Sequence, residues 1–372
     1  MSADRMTLKV GGQIYAGWKS VSVQTSMEQI SGAYNLEITE RWPNQPKDWS
    51  IPPGELCEVL IGETPVISGY VDRVSVSYDA TSHKISVSGR DRTGDLVDCS
   101  AASTAFSGLR FSKIAEKLCA PYKISIVDET HGDADKIQVP KFAVQNGESG
   151  FKTLEKLARQ IGVLLTSDGL GHLVITRAGL SGRAHDALIH GRNILTASFS
   201  EDHSELFSEI TVKGQASTAG SQIYNVSTAG PSGKVSTPRV VRARSGNSAI
   251  TRHRPLILIA ETQADARRCR QRAKWEAGHR EGKSRKISVS VQGWRQSDGT
   301  LWRINRIARV VCPWMRVDGD WLISSVNYSL GDAGTKSELS LVDRRAFELL
   351  PEIPPRTASY SGKNAVLPEK KT

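Results

Sequence analysis

Three carboxylates crowd one short stretch of the chain: Asp91, Asp95 and Asp98. Two acids facing each other across a cleft could protonate a glycosidic oxygen and activate a water. The neighbouring residues favour a plainer role. Gly89-Arg90-Asp91-Arg92, followed by Gly94, is a turn signal, and in a turn Asp91 and Asp95 serve their own backbone as turn and cap ligands. Cys119 could act as a nucleophile beside a distant His, but eight scattered histidines offer that pairing to almost any cysteine. No two histidines stand three or four apart with a carboxylate to complete a metal face, and HExxH, EF-hand and GxSxG patterns are absent. Gly230-Pro-Ser-Gly-Lys234 has only the outline of a phosphate loop. Position 228 is Thr, Val235 follows the lysine, and a loop-like context replaces the strand-to-helix turn that aims N–H groups at phosphate. The sequence therefore predicts no catalytic residue, no cofactor and no metal.

One region is strongly basic. Between Arg239 and Arg309 there are 18 Lys/Arg against 5 Asp/Glu, a local excess of +13 in a chain of net charge +10. On a helix there, Arg267, Arg270 and Lys274 share one face and Arg268 and Arg272 another. Such a helix could lie along a phosphate backbone as a polyanion-binding patch. It carries no recognition-helix motif and only Trp275 as a stacking aromatic, so base reading is not expected. The same charge suits an acidic protein partner, or a solvated face whose counter-charges come from elsewhere in the fold.

The elements that position these residues are mainly strands. With 372 residues, 38% hydrophobic and 24% charged, the chain has room for two to four globular domains. No run of 18 apolar residues exists and Met1–Val10 has no signal core, so neither a membrane span nor export by that route is expected. Five widely spaced cysteines without a CxxC pair read as reduced, mostly buried thiols. Residues 6–100 alternate as about eight short strands, with Gly11-Gly12 as a hairpin turn. The Pro- and Trp-rich stretch Trp42–Gly54 reads as an exposed loop. A helix ends before Pro121, and another spans Gly150–Ile161 between a Ser149 N-cap and a Gly162 C-cap. A hairpin across Asp168-Gly169 follows. Gln215–Ser248 reads as a long mobile loop, Leu256–Ala260 as a buried strand, and Gln263–Ala277 as a helix capped by Thr262. The segment from Pro351 has no periodicity and is expected to fray.

The two ends repeat one order. Val66–Asp98 and Leu322–Leu350 each run strand, Val/Tyr-rich strand, Asp-Ala turn, strand and Arg-rich turn. Ser20–Thr39 finds a weaker echo in Ala197–Val212. A block recurring in fixed order marks a duplicated unit. The expected division is a first β-barrel over 1–103 and an α/β module over 104–192 joined by about 240–283. A second barrel starts over 193–239 with the mobile loop and finishes over 284–345, and 346–372 is a tail.

The motifs Trp18-Lys-Ser-Val-Ser-Val, Gly32-Ala-Tyr-Asn-Leu-Glu, Gly69-Tyr-Val-Asp and Gly89-Arg-Asp-Arg-Thr-Gly-Asp-Leu-Val-Asp98, with Leu118-Cys-Ala-Pro-Tyr122 and Val212-Lys-Gly214, stand in an order that resembles the Mu-type baseplate hub proteins of contractile phage tails. The likeness covers roughly residues 5–350 and rests on fold-keeping motifs. It implies a mainly β protein with an α+β insert, built as two tail-tube-like antiparallel β-barrels plus a small α/β module. It also implies a virion structural protein of the tail baseplate, made in the host cytoplasm and not an enzyme. Three chains of two units would form a homotrimeric ring of pseudo-sixfold symmetry. That ring would join the tail tube to a trimeric membrane-piercing spike, touch other baseplate proteins, and enclose a passage for DNA in transit. The alternatives are a component of a contractile secretion machine, a non-specific nucleic-acid-binding protein using the 239–309 region, and a cell-wall hydrolase.

Overall fold

The computed structural model describes residues 4–39, 51–79, 83–136, 139, 141–214, 240–243, 250–260 and 266–351. The Trp42–Gly54 stretch up to Ser50, most of Gln215–Ser248 and the tail beyond Pro351 lie outside the described residues. Within Gln215–Ser248 the described part, Val240–Ala243, is a strand rather than loop.

The first β unit comprises β1 (Met6–Val10), β2 (Gln13–Tyr15), β3 (Ser20–Ser26), β4 (Ala33–Thr39), β5 (Leu56–Ile61), β6 (Thr64–Tyr78) and β7 (His83–Asp91). Alternation sets its faces: Leu8, Val21, Val23, Leu36, Val59, Ile67, Val71 and Val87 all point into one core. Helix α1 (Thr93–Asp98) leads into the α/β module, made of β8 (Ala105–Phe106), α2 (Phe111–Cys119), β9 (Ser125–Asp128), β10 (Phe142–Ala143), α3 (Gly150–Ile161), β11 (Leu164–Ser167) and β12 (His172–Thr176). Helix α3 runs between the expected caps: Ser149 accepts from Lys152 N–H, and Gly162 takes the left-handed conformation. The apolar faces of α2 and α3 close over β12 in a separate core around Phe111, Ile114, Leu154, Leu157 and Leu173.

The rest of the chain holds β13 (Leu188–Ile189), β14 (Ile194–Glu201), β15 (Glu209–Lys213), β16 (Val240–Ala243), β17 (Pro255–Ile259), α4 (Ala266–Ser284), β18 (Arg285–Gln292), β19 (Ile307–Cys312), β20 (Val317–Gly331) and β21 (Gly334–Val342). The duplication is visible in the pairing. The first unit contains the order β3-β4-β7-β6 and the second β14-β18-β21-β20. In each, a 15-residue strand bends through a one-residue register shift, between Val71 and Arg73 in β6 and between Ile323 and Ser325 in β20. Before the shift each long strand also pairs with a further neighbour, β5 or β19.

Several expectations change. The two units do not close into separate barrels, because β20 pairs with β3 through Ser325–Leu330 against Ser26–Val21 and so joins both units into one open sheet. A closed barrel would need that strand edge for itself. The echo of Ser20–Thr39 is also split. Its first strand matches β14, but the counterpart of β4 is β18. Strand β15 leaves for a small sheet ordered β16-β15-β17. Finally, β17 is a half-exposed edge strand, with Ile257 58% and Ile259 81% exposed. Its alternate residues Leu256 and Leu258 face α4, whose Cys269, Ala273 and Ala277 form the expected apolar stripe. Helix α4 runs past Ala277 to Ser284 because Gly282 lets it approach the 3-10 turn Arg344–Ala346. A Cβ there would lie 2.5 Å from the Ala346 nitrogen.

Strand approach is closest at two glycines. A Cβ on Gly69 would collide with the Arg90 carbonyl oxygen, and one on Gly89 with that of Tyr70. Each of Gly69→Ala and Gly89→Ala is expected to lower stability by about 2–4 kcal/mol. Gly331→Ala, which would meet nothing within 4 Å, should stay within about 0.5 kcal/mol. Urea denaturation midpoints of the three variants check this.

Candidate functional site

The Asp91 turn is a structural knot. Asp91 is 1% exposed. Its carboxylate accepts from Gly32 N–H (2.7 Å), Thr93 N–H (2.8 Å), the Thr93 hydroxyl (2.5 Å) and the Ser167 hydroxyl (2.9 Å). Gly32 begins the approach to β4, Thr93 opens α1 and Ser167 ends β11, so one carboxylate ties the first β unit to the α/β module. Arg90 spans Asp72 (3.0 Å) and Asp98 (2.7 Å). Gly89 provides the close strand approach described above. Asp95 is half-buried in the first turn of α1, where its carbonyl accepts from Cys99 N–H. With its lone pairs committed and no solvent access, Asp91 is in no position to reach a substrate.

The duplicated position of Asp91 is Asp343. It too stands at the end of the last strand of its unit and accepts from the N–H two residues on, that of Arg345 (2.9 Å). Arg345 in turn grips Glu281 of α4 at 2.9 Å. One turn thus fastens an insert to each unit, by neutral donors in the first and by an ion-pair chain in the second.

Helix α4 packs on β15, β16 and the Arg344–Ala346 turn, and touches β18 of the main sheet. Arg270 and Lys274 are exposed, while Arg268 and Arg272 are half-buried and the Arg267 side chain lies outside the described residues. Arg272 sits over the Trp275 ring at 4.8 Å, Trp275 stacks on His279, and the Trp275 indole donates to the Glu348 carbonyl at 2.7 Å. Burial pushes the His279 imidazole down from its ordinary pKa. Part of the regional positive charge is matched: Arg280 by Glu276 and Glu205, Arg285 by Glu201, Arg295 by Asp4, and Arg309 by Asp318. Arg252, Arg270, Lys274, Lys283 and Lys286 stay exposed.

Sequence reasoning missed the main sheet's outer face. Opposite the apolar core, Ser20, Ser22 and Gln24 of β3 lie beside Asn35 on β4 and Ser86 and Ser88 on β7. Ser198 and Ser200 of β14 lie beside Ser288 and Lys286 on β18, Ser325, Asn327 and Ser329 of β20 continue the face, and Glu37, Lys84, Lys336 and Glu338 add charges of both signs to it. Hydroxyl–amide bonds link it, Ser22 to Asn327 (2.9 Å) and Ser86 to Asn35 (3.0 Å). The signal was present in the Ser-x-Ser spacing of these strands, which reads as ordinary polar alternation until the strands are assembled. Among the described residues no group of three or more His, Cys, Asp or Glu could hold a metal ion, and no helix is long and apolar enough to cross a membrane.

Known proteins with this architecture can now be compared. Residues 5–91 match the N-terminal domain model of the Mu phage baseplate assembly protein GpP-like family. Residues 93–177 match the second domain of baseplate hub protein gp44-like proteins, and residues 265–350 the fourth domain of GpP. The chain is 32% identical to the baseplate hub protein gp44 of Escherichia phage Mu over 93% of its own length and 89% of that protein's. The chain belongs to the Mu-type baseplate hub family. It is similar to the 43 kDa tail protein of prophage MuSo2 from Shewanella oneidensis, 34% identical with a TM-score of 0.80, covering 93% of this chain and all of that one. At the level of fold alone it resembles the E. coli c3393 protein, a type VI secretion component similar to T4 tail proteins gp27 and gp5. That likeness has 10% identity and a TM-score of 0.51 over 93% of this chain and 80% of that one. The mainly β fold with its α/β insert is thus the fold of phage tail hub proteins.

Burial pushes the Asp91 carboxyl above its ordinary pKa of 3.8, against hydrogen bonds from Thr93, Gly32 and Ser167 that pull it down. With the folded value raised, its contribution to stability is full below the unfolded pKa and is lost as pH rises through the folded one. Asp91→Asn sets an NH2 donor against the N–H and O–H donors that now face a carboxylate oxygen, and should destabilise by about 1–3 kcal/mol while flattening that fall. Urea unfolding across a pH series reads both effects.

Proposed function

We propose that the chain is the central hub of a contractile phage-tail baseplate. In this reading three copies form a homotrimeric ring of pseudo-sixfold symmetry between the tail tube and a trimeric spike, with DNA passing through. The protein is a structural virion component, made in the host cytoplasm and without turnover of its own. One observation carries the reading: each chain holds two units of the same strand order, joined edge to edge through β20 and β3. A chain with two equivalent faces can meet a sixfold tube with three copies while presenting threefold symmetry to a spike, and closed cyclic symmetry is the usual way to use up such repeated edges.

The Ser/Asn face supports the passage. A wall rich in hydroxyl and amide groups stays wetted, and its charges are of both signs, Glu37 paired with Lys84 at 2.8 Å and Glu338 set among Lys286 and Lys336, so a moving phosphate meets weak, exchangeable contacts. The exposed Arg270 and Lys274 of α4 are assigned to docking an acidic baseplate partner. The relatives sharing about a third of their residues are phage tail proteins, whereas the secretion-system likeness is one of fold, which favours the phage reading.

Light scattering behind size exclusion should give about 122 kDa, three chains of 40.6 kDa, independent of loading concentration. A monomer that stays a monomer when mixed with its tube and spike proteins would remove the ring.

A further inference from the structure

We infer that the ring is closed by a specific strand junction. The distal half of β6 pairs antiparallel with β14 of the next copy, in the register that β20 and β3 already adopt within one chain. This rests on the ring proposed above and adds its contact.

Two of the main sheet's edges that lack strand partners among the described residues lie at equivalent places in the two units. One side of β6 is paired with β5 only as far as Tyr70, leaving that side of Asp72–Ser77 open, and β14 is the terminal strand of the main sheet, paired only with β18. The duplication makes these the two halves of one contact. Counting through the hairpin registers, Arg73, Val74, Ser75, Val76 and Ser77 on β6 correspond to Ser325, Val326, Asn327, Tyr328 and Ser329 on β20. Likewise Ser198, Phe199, Ser200 and Asp202 of the β14 edge correspond to Ser22, Val23, Gln24 and Ser26 on β3. The last equivalence is also chemical. Ser26 caps its strand end by accepting from the N–H two residues on, and Asp202 does the same.

Transferring the internal pairing places Val76 opposite Phe199, Ser77 opposite Ser198, and Arg73 opposite Asp202 of the neighbour. Exposure says the same. At the internal junction Tyr328 is 4% and Val23 0% exposed, whereas the equivalent Val76 is 68% exposed and Phe199 is only partly buried. A long edge with outward apolar residues is an association surface unless it is covered. The charges fit as well. Arg73 is exposed, and its counterpart edge ends in Glu201-Asp202. At the internal junction the corresponding pair is two serines, Ser325 and Ser26, so this ion pair distinguishes the contact between chains from the one within a chain. It opposes a wrong register, in which Arg73 would lose its acidic partner.

The test uses the full-length chain with Cys99, the exposed native cysteine, changed to Ser. Ser77→Cys with Ser198→Cys should oxidise to a disulfide-linked closed trimer, since directly opposed residues lie within disulfide reach. Ser22→Cys with Ser329→Cys is the positive control and should close within one chain. Arg73→Glu should raise the trimer dissociation constant about tenfold. A chain that is trimeric by light scattering, closes the control pair and leaves Ser77→Cys/Ser198→Cys unlinked would overturn the junction but keep the ring. A chain that closes the control pair yet remains monomeric and unlinked, even when mixed with its tube and spike proteins, would overturn both.

Discussion

The backbone pairing of β20 with β3 is the constraint on which the rest of the molecule depends. It occurs between residues about three hundred positions apart, so it forms only once both units exist, and its loop-closure entropy must be offset by the sheet it completes. Once made, it fixes the relation between the units, sets the Ser/Asn face as one continuous wall, and leaves one open edge at each side of the pair. Everything attached to the sheet then serves to hold that relation. The α/β module is locked to the first unit through the buried Asp91, and the α4 insert to the second through Asp343, Arg345 and Glu281.

The two turn aspartates show how one duplicated position diverges with its surroundings. Asp91 is buried among hydroxyl and amide donors, and desolvation dominates its chemistry. Asp343 is held by an arginine, which together with the Arg345 N–H keeps its carboxyl below the ordinary range despite burial. The same local device, an acceptor two residues before a helical turn, survives in both because it is set by backbone geometry and needs no particular partner beyond.

Much of this was legible in the chain itself. The caps of α3, the Gly11-Gly12 hairpin, the thin apolar stripe of α4 and the repeated strand order at the two ends all follow from local rules. What was not legible involves the choice of strand neighbour. Alternation says that Glu209–Lys213 is a strand and not which sheet it joins, so β15 was assigned to the second unit rather than to its side sheet. The open sheet in place of two barrels has the same origin, because nothing local marks β20 as the partner of β3. The length of α4 beyond Ala277 was hidden by Gly278 and Gly282, which read as helix ends although Gly282 serves close packing against Ala346. The basic region was visible as charge, but several of its counter-ions, Asp4, Glu201 and Glu205, are distant in sequence.

Electron cryomicroscopy of the purified assembly tests the central claim most directly, because it counts units and shows how their sheets meet. The account predicts threefold averages with six near-equivalent β units around one uninterrupted inner wall, and the Ser/Asn face turned to the central passage. A ring of any other unit number would contradict it, as would units whose sheets meet only within chains and stand apart between them.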